Sequence, residues 1–380
     1  MSIERTDAEA RGNQPANITR RGFIAGASCI GAAAAFLKYL PLPALADSLA
    51  QGSRVAASPL VDKGFASVRK IGEGVYATIS DPSKGITTLC NGGFIAGKEG
   101  ALLIEGFASP AGAAFQTEAL RMVSQAPVRA ALDTHYHFDH SFGNAYYGVN
   151  GFPLWAHARV APLMVQRYAT IQGKDKSAVL GPLQKKIDSA PNDVEKQRAD
   201  GNLKAMTMLL QSVDQTLLTL PNHSLDPAKL PMKVDLGGIE AVIETYPGHT
   251  PGDIIVRVPA QNIVFTGDLL FNGSYPVTFD ADMLGYRDTA AKFAAFDKDT
   301  IFVPGHGQVC GQEGIALERA IFDDLAEHAK KMAAAGVTVE EAQKRYTVPE
   351  KFSKLGMFAW SFCIDSAVAQ FYNAAKAGRL

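Results

Sequence analysis

Asp133-Thr-His-Tyr-His-Phe-Asp-His140 packs three histidines and an aspartate, His135, His137, Asp139 and His140, into six consecutive positions. Neutral imidazoles with a carboxylate form a ligand set that suits zinc, and also iron or manganese. The chain has 8 histidines in 380 residues, so three in one short window mark a metal-binding segment rather than a solvated polar loop. The preceding run Val128-Arg-Ala-Ala-Leu132 is apolar and β-compatible, and Gly143 and Gly148 follow. The motif therefore reads as a strand running out into a loop. In an extended segment residues i and i+2 face the same side, so His135 and His137 can grip one ion while Asp139 and His140 turn toward a second.

Three more polar residues stand at expected strand ends. His249 lies in Tyr246-Pro-Gly-His-Thr-Pro-Gly-Asp253, Asp268 follows Asn262-Ile-Val-Phe-Thr-Gly267, and His306 lies in Val303-Pro-Gly-His-Gly307. Each follows a glycine that lets the backbone turn tightly. As a set they complete a two-metal site, one histidine for each ion and an aspartate able to bridge. Two divalent cations about 3.5–4 Å apart lower the pKa of a shared water toward neutrality and polarise a carbonyl or phosphoryl group for attack. Asp139 can orient the attacking oxygen and relay a proton. Tyr136 and Phe138 alternate to the opposite side and read as core residues. Trp155, Phe271, Tyr275 and Tyr286 are candidates for an apolar substrate wall.

The elements around these residues fall into two β-rich halves. Val68 to Ile79, Ile86 to Leu89, Gly93 to Ala96 and Ala101 to Ile104 read as strands, followed by a helix over Pro110 to Val123. After the motif comes a short strand at Pro153 to Ala156. Residues 158–231 carry helix formers and scattered charge with no strand-like run, which predicts a helical insertion or flap. Its Met164, Met206, Met208, Leu209 and Leu210 read as packing residues. The second half repeats the strands (Met232 to Leu236, Ile239 to Thr245, Ile254 to Val258, Ile263 to Phe265, Thr300 to Val303) around a helix at Thr289 to Phe296. Ile315 to Ala335 is amphipathic, with Glu318, Asp323, Glu327 and Lys330 alternating with apolar residues. The region 312–380 is mostly helical. Two β-rich halves, each ending in helix, predict an α/β fold of two face-to-face sheets with helices outside, an αββα sandwich.

With these residues the chain resembles the metallo-β-lactamase fold superfamily, from about Val68 to His306. The resemblance implies metals in a groove at one edge of the sheets. It implies His135, His137 and His249 on the first metal, Asp139, His140 and His306 on the second, and Asp268 between them. His137 stands where flavo-diiron relatives carry Glu, which implies a hydrolase. Asp268 stands where true metallo-β-lactamases mostly carry Cys or Ser, which implies lactonase- or thioesterase-like hydrolysis. Glu105 departs from the family's usual Asp at the end of that strand. The expected cofactors are two divalent cations, zinc first, with iron or manganese as alternatives.

The first 46 residues read as an export signal. Thr19-Arg-Arg-Gly-Phe-Ile24 precedes a weakly hydrophobic run and a small-residue end at Ala44-Leu-Ala46, the pattern of a Tat signal cleaved after Ala46. Lys38, Pro41 and Pro43 make the run a poor membrane span, and Cys29 is a weak alternative lipidation site. The remainder, 47–380, is expected to form a single periplasmic domain with the Tat machinery as its export partner. Residues 1–46 hold five of the 37 Lys+Arg and three of the 38 Asp+Glu, so the remainder carries 32 against 35, net −3. That balance excludes a nucleic-acid or anionic-membrane partner and leaves a small-molecule substrate. Cys90, Cys310 and Cys363 lack metal-ligand spacing and read as packing residues, with room for one disulfide in an oxidising compartment. The leading reading is cleavage of an ester, lactone, thioester or amide. β-Lactam hydrolysis, a mononuclear iron persulfide dioxygenase and a non-catalytic binding protein follow in that order.

Overall fold

The computed structural model describes residues 54–169 and 171–380. The twin-arginine segment, the cleavage point after Ala46 and Cys29 lie outside the described residues.

The first half builds an eight-stranded sheet in sequence order: β1 (Val61–Asp62), β2 (Ala66–Gly72), β3 (Val75–Ser80), β4 (Gly92–Ala96), β5 (Ala101–Ile104), β6 (Val128–Asp133), β7 (Leu154–His157) and β8 (His223–Leu225). Pairing is antiparallel through β5 and parallel from β5 to β8. The second sheet holds β9 (Met232–Asp235), β10 (Glu240–Thr245), β11 (Ile254–Val258), β12 (Ile263–Asn272) and β13 (Ile301–Gly307), with β12 and β13 parallel. Alternation along each strand assigns the faces. Leu102 and Ile104 of β5 meet Ile243, Val256, Phe265 and Val303 in the core between the sheets. Ala101 and Leu103 turn outward against Phe115, Ala119 and Leu120 of α1 (Pro110–Val123).

On the far face of the second sheet, Ile255, Val264 and Phe302 pack against three helices, α7 (Met283–Ala294), α8 (Gln312–Ala334) and α10 (Ser366–Lys376). This is the expected αββα sandwich. The insertion consists of α4 (Val160–Tyr168), α5 (Lys176–Asp188) and α6 (Asp193–Asp214). Met164, Tyr168, Leu209 and Val213 of the insertion pack on Tyr136, Phe138 and Phe142 of the histidine-rich segment. Among the described residues, no helix is long and apolar enough to cross a membrane.

Three local expectations fail for physical reasons. Residues 158–231 are not all helix, because β8 adds to the edge of the first sheet; three residues are too short to display alternation. Ile86 to Leu89 is not a strand. There the Ser80 N–H donates to Asn91 Oδ1 and the Ser80 and Thr88 hydroxyls lie 2.7 Å apart, so side chains replace a ladder. Glu318 does not lie on the solvent face of α8; it is fully buried, and its carboxylate accepts the Phe271 N–H at 3.0 Å. The three cysteines described are free and buried, as packing residues.

Phe265 is 1% exposed between the two sheets, so Phe265→Ala is expected to cost roughly 3–5 kcal/mol in urea unfolding. Val149, 89% exposed, supplies the control: its replacement by Ala should stay within about 0.5 kcal/mol. Equal costs at the two positions would contradict the face assignment.

Candidate metal centre

Strand β6 ends at Asp133, and residues 134–137 leave it as bends before the helical turn α2 (Phe138–Ser141). His135 and His137 therefore converge from a bent segment, not from one face of a strand, while Asp139 and His140 stand on the turn. His249 sits between β10 and β11, in a loop where Asp253 accepts the Thr250 N–H at 2.8 Å. Asp268 does not follow the end of its strand: β12 continues to Asn272, and its pairing with β13 shifts on either side of Gly267, whose φ is +52°. The carboxylate projects from that irregularity. His306 lies within β13.

These positions bring all seven sequence-predicted residues together in two groups. The first is His135, His137, His249 and Asp268; the second is Asp139, His140 and His306. Asp268 faces both. Its Oδ2 lies 3.3 Å from His249 Nε2 and 3.9 Å from His135 Nε2, while Oδ1 lies 3.2 Å from His140 Nε2 and 3.5 Å from His306 Nε2. Asp139 Oδ2 completes the second group, 3.2 Å from His306 Nε2 and 3.6 Å from His140 Nε2.

The atoms at the centre are unsatisfied in a way that fits cations. His249 Nδ1–H donates to the Val277 carbonyl at 2.8 Å, which leaves a lone pair on Nε2. The Nε2 of His137 lies 3.4 Å from Asp280 Oδ2, so its Nδ1 is the inward atom. Those two inward nitrogens lie 2.9 Å apart, close enough to share one proton or one cation. His135 Nε2, His140 Nε2 and Asp268 Oδ1 are buried with no hydrogen-bond partner; buried polar atoms are rarely left so. A divalent cation in each group would satisfy these atoms, and imidazole with carboxylate is a suitable donor set.

Burial drives His249 down to about 3 and His135 well below the ordinary histidine value. Burial also opposes charge on His140 and His306, but the neighbouring carboxylates prevail. The Cys90 sulfur, then Asp268, Glu105 and Asp139, hold His140 well above its usual value, and Asp268 with Asp139 lifts His306 to about 9. Asp268 is held well below the usual carboxylate range, because His306, His140 and His249 outweigh its desolvation.

Residues outside the motif set the imidazoles. Glu105 reaches the place left in doubt by its length: Oε1 accepts the Thr134 hydroxyl at 2.6 Å and lies 3.2 Å from His140 Nδ1. Tyr136 is buried as expected, and its hydroxyl also donates to Asp280. No spacing signal pointed to Asp280, which comes from a distant loop. Of the four wall candidates, Phe271 and Tyr275 line the cavity at the centre. Tyr286 is fully buried, and Trp155 stacks on His223 instead. The cavity, about 850 Å³, is closed on one side by Arg167 of α4 and by Met206, Met208 and Leu209 of α6, so the insertion does form a wall.

Residues 86–306 match the family model of the metallo-beta-lactamase superfamily. Over 83 residues the chain is 40% identical to an uncharacterized protein of Mycobacterium tuberculosis, covering 20% of this chain and 37% of that protein. It is 24% identical over 187 residues to acyl-coenzyme A thioesterase MBLAC2 of Bos taurus, covering 48% of this chain and 57% of that protein. Thus the chain matches little more than a third and a half, respectively, of these relatives' lengths. Among solved structures, the metallo-beta-lactamase FIM-1 from Pseudomonas aeruginosa in its mono-zinc form aligns with a TM-score of 0.48 at 21% identity, over 69% of this chain and 96% of that one. A metallo-beta-lactamase from Pontibacter korlensis aligns at 0.45 and 16%, over 70% and 97%.

Two measurements check this centre. A Cβ at Gly305 would lie 1.9 Å from Asp268 Oδ1, so Gly305→Ala is expected to displace that carboxylate and lower bound metal while the fold persists by circular dichroism. Undiminished metal would show that Asp268 is not needed there. The second concerns protons. His306 is raised to about 9, so at pH 7 it carries a proton that an incoming cation must displace, and His140 is shifted in the same direction; His249, lowered to about 3, is already neutral. Zinc titration at pH 7 should release at least about one proton per fully loaded chain, read by calorimetry in buffers of different ionisation enthalpy. Release should diminish as pH rises through about 9, where His306 loses its proton in the metal-free protein.

Proposed function

The chain belongs to the metallo-beta-lactamase superfamily, and from that premise we propose that it is a metal-dependent hydrolase of an ester, lactone, thioester or amide. The observation that carries this reading is the single carboxylate of Asp268 shared between two groups of inward-facing donor atoms. His135, His137 and His249 would hold one divalent cation, Asp139, His140 and His306 a second, with Asp268 between them. When bound, the cations supply Lewis acidity and acidify a shared water.

The chain's own groups do the rest. Asp139 has a side chain 14% exposed against 4% for Asp268, so it is the carboxylate turned to the cavity. It orients the attacking water and takes its proton; burial opposes its charge, but His140 and His306 outweigh that and keep it ionised for that role. Glu105, through His140 Nδ1, and Asp280, through His137 Nε2, fix the directions of two imidazoles. Phe271 stacks on His306 with ring centroids 5.1 Å apart and shields that side. The likeness to an acyl-coenzyme A thioesterase supports the thioester within the proposed set.

Chelation is expected to abolish turnover, and zinc or manganese to restore it. Asp268→Ala should lose metal from both groups, whereas His306→Ala should mainly empty the second. Across a panel of esters, lactones, thioesters and β-lactams, the best ester, lactone or thioester should exceed the best β-lactam in kcat/KM. Efficient β-lactam turnover with none on the other classes would reverse that order.

A further inference from the structure

The cavity over the centre is unequal. Starting at His137, aromatic rings continue without a gap to the protein surface. His137 stacks on Phe279 with centroids 5.1 Å apart at 27°, Phe279 meets Phe362 at 5.1 Å, and Phe362 stacks on Phe358 at 6.4 Å and 26°. All four side chains line the same cavity. Phe279 and Phe362 are only partly buried, and Phe358 is 37% exposed. Phe279 and Phe362 rest on the core with one side and leave the other toward the cavity, and a run of apolar rings partly open to water marks a binding surface. The guanidinium of Arg167 covers Phe279 at 4.9 Å and stiffens the first step of the run. Met206 and Met208 of α6 line the same space, and their flexible thioethers adapt to a chain of variable shape.

We propose that the substrate carries a linear apolar arm, laid from the reacting carbonyl beside His137 outward along Phe279, Phe362 and Phe358. The proposal rests on the hydrolase reading above and narrows its substrate to an amphiphilic ester, thioester or lactone. The volume fits: about 850 Å³ lies within the range of sites that enclose a drug-sized ligand. The charge distribution fits as well, because Asp139, Asp268 and His306 gather at the centre, while the guanidinium of Arg167 lies against the Phe279 ring face.

The test uses the metal-loaded protein with two series. In the first, p-nitrophenyl esters from acetate to dodecanoate should rise in kcat/KM by up to about fourfold per added methylene until the chain outruns the cavity. In the second, dissociation constants of n-alkanols from butanol to dodecanol, measured by competition or calorimetry, should tighten along the same slope. Phe358→Asp should lower the ratio of dodecanoate to acetate turnover by about tenfold or more and weaken dodecanol binding, with metal content unchanged. A flat ester series on an active enzyme overturns the apolar arm and leaves the hydrolase reading intact. If no ester is turned over, the alkanol series still decides. Tightening with length keeps the arm and counts against the hydrolase, whereas a flat series removes the arm.

Discussion

A single desolvated carboxylate organises the active end of this fold. Asp268 is 4% exposed, and an isolated charge so buried would be neutralised rather than tolerated. It remains ionised because His306 of β13, His140 of the turn α2 and His249 of the β10–β11 loop stand within 4 Å of its two oxygens. The converse holds equally. His140 and His306 are raised only because Asp268 and its neighbours are negative. Carboxylate and imidazoles thus hold one another in charge states that neither would adopt alone, and a cation in each group would replace the shared protons. The sandwich supplies what this requires: strands and the turns between them that place donors from four separate stretches of chain within one sphere.

Around that sphere, backbone strain is concentrated where donors are aimed. Glu105 and Phe107 adopt φ of +77° and +60°, each costing about 1–3 kcal/mol for a side chain larger than glycine. At Glu105 the cost is offset locally. Its N–H donates to Leu132, its carbonyl accepts the Tyr147 hydroxyl at 3.0 Å, and its carboxylate binds Thr134 while facing His140. The turned backbone brings this carboxylate to the Thr134 hydroxyl and to within 3.2 Å of His140 Nδ1.

The sequence made the centre legible because its chemistry is dense: three histidines in six positions, and three glycine-led polar residues at strand ends. The sheets were legible because one face of each strand is buried, so alternation survives in Leu102 and Ile104 against Ala101 and Leu103. What escaped was whatever depends on distant segments meeting. Asp280, Arg167, Met206 and Phe358 lie on four separate segments and share no spacing, yet they surround one cavity or touch one imidazole. The expected export signal is a different case, since residues 1–46 lie outside the described structure.

Glu318 shows how far support for the centre extends. Its place in an amphipathic helix argued for solvent, but α8 turns it inward, to the far side of β12. There its carboxyl accepts the Phe271 N–H, at the residue where the β12–β13 pairing resumes after its shift. Beside it the Tyr286 hydroxyl donates to the backbone carbonyl of Asp268. Burial pushes Glu318 well above the usual carboxylate range, toward its neutral form. That direction suits the location, because a second negative charge behind Asp268 would oppose the ionisation on which the imidazoles depend. The irregular strand that aims Asp268 is therefore held from the helix layer by the hydrogen bonds of Glu318 and Tyr286, and the helices outside the sandwich are part of what holds the centre in place.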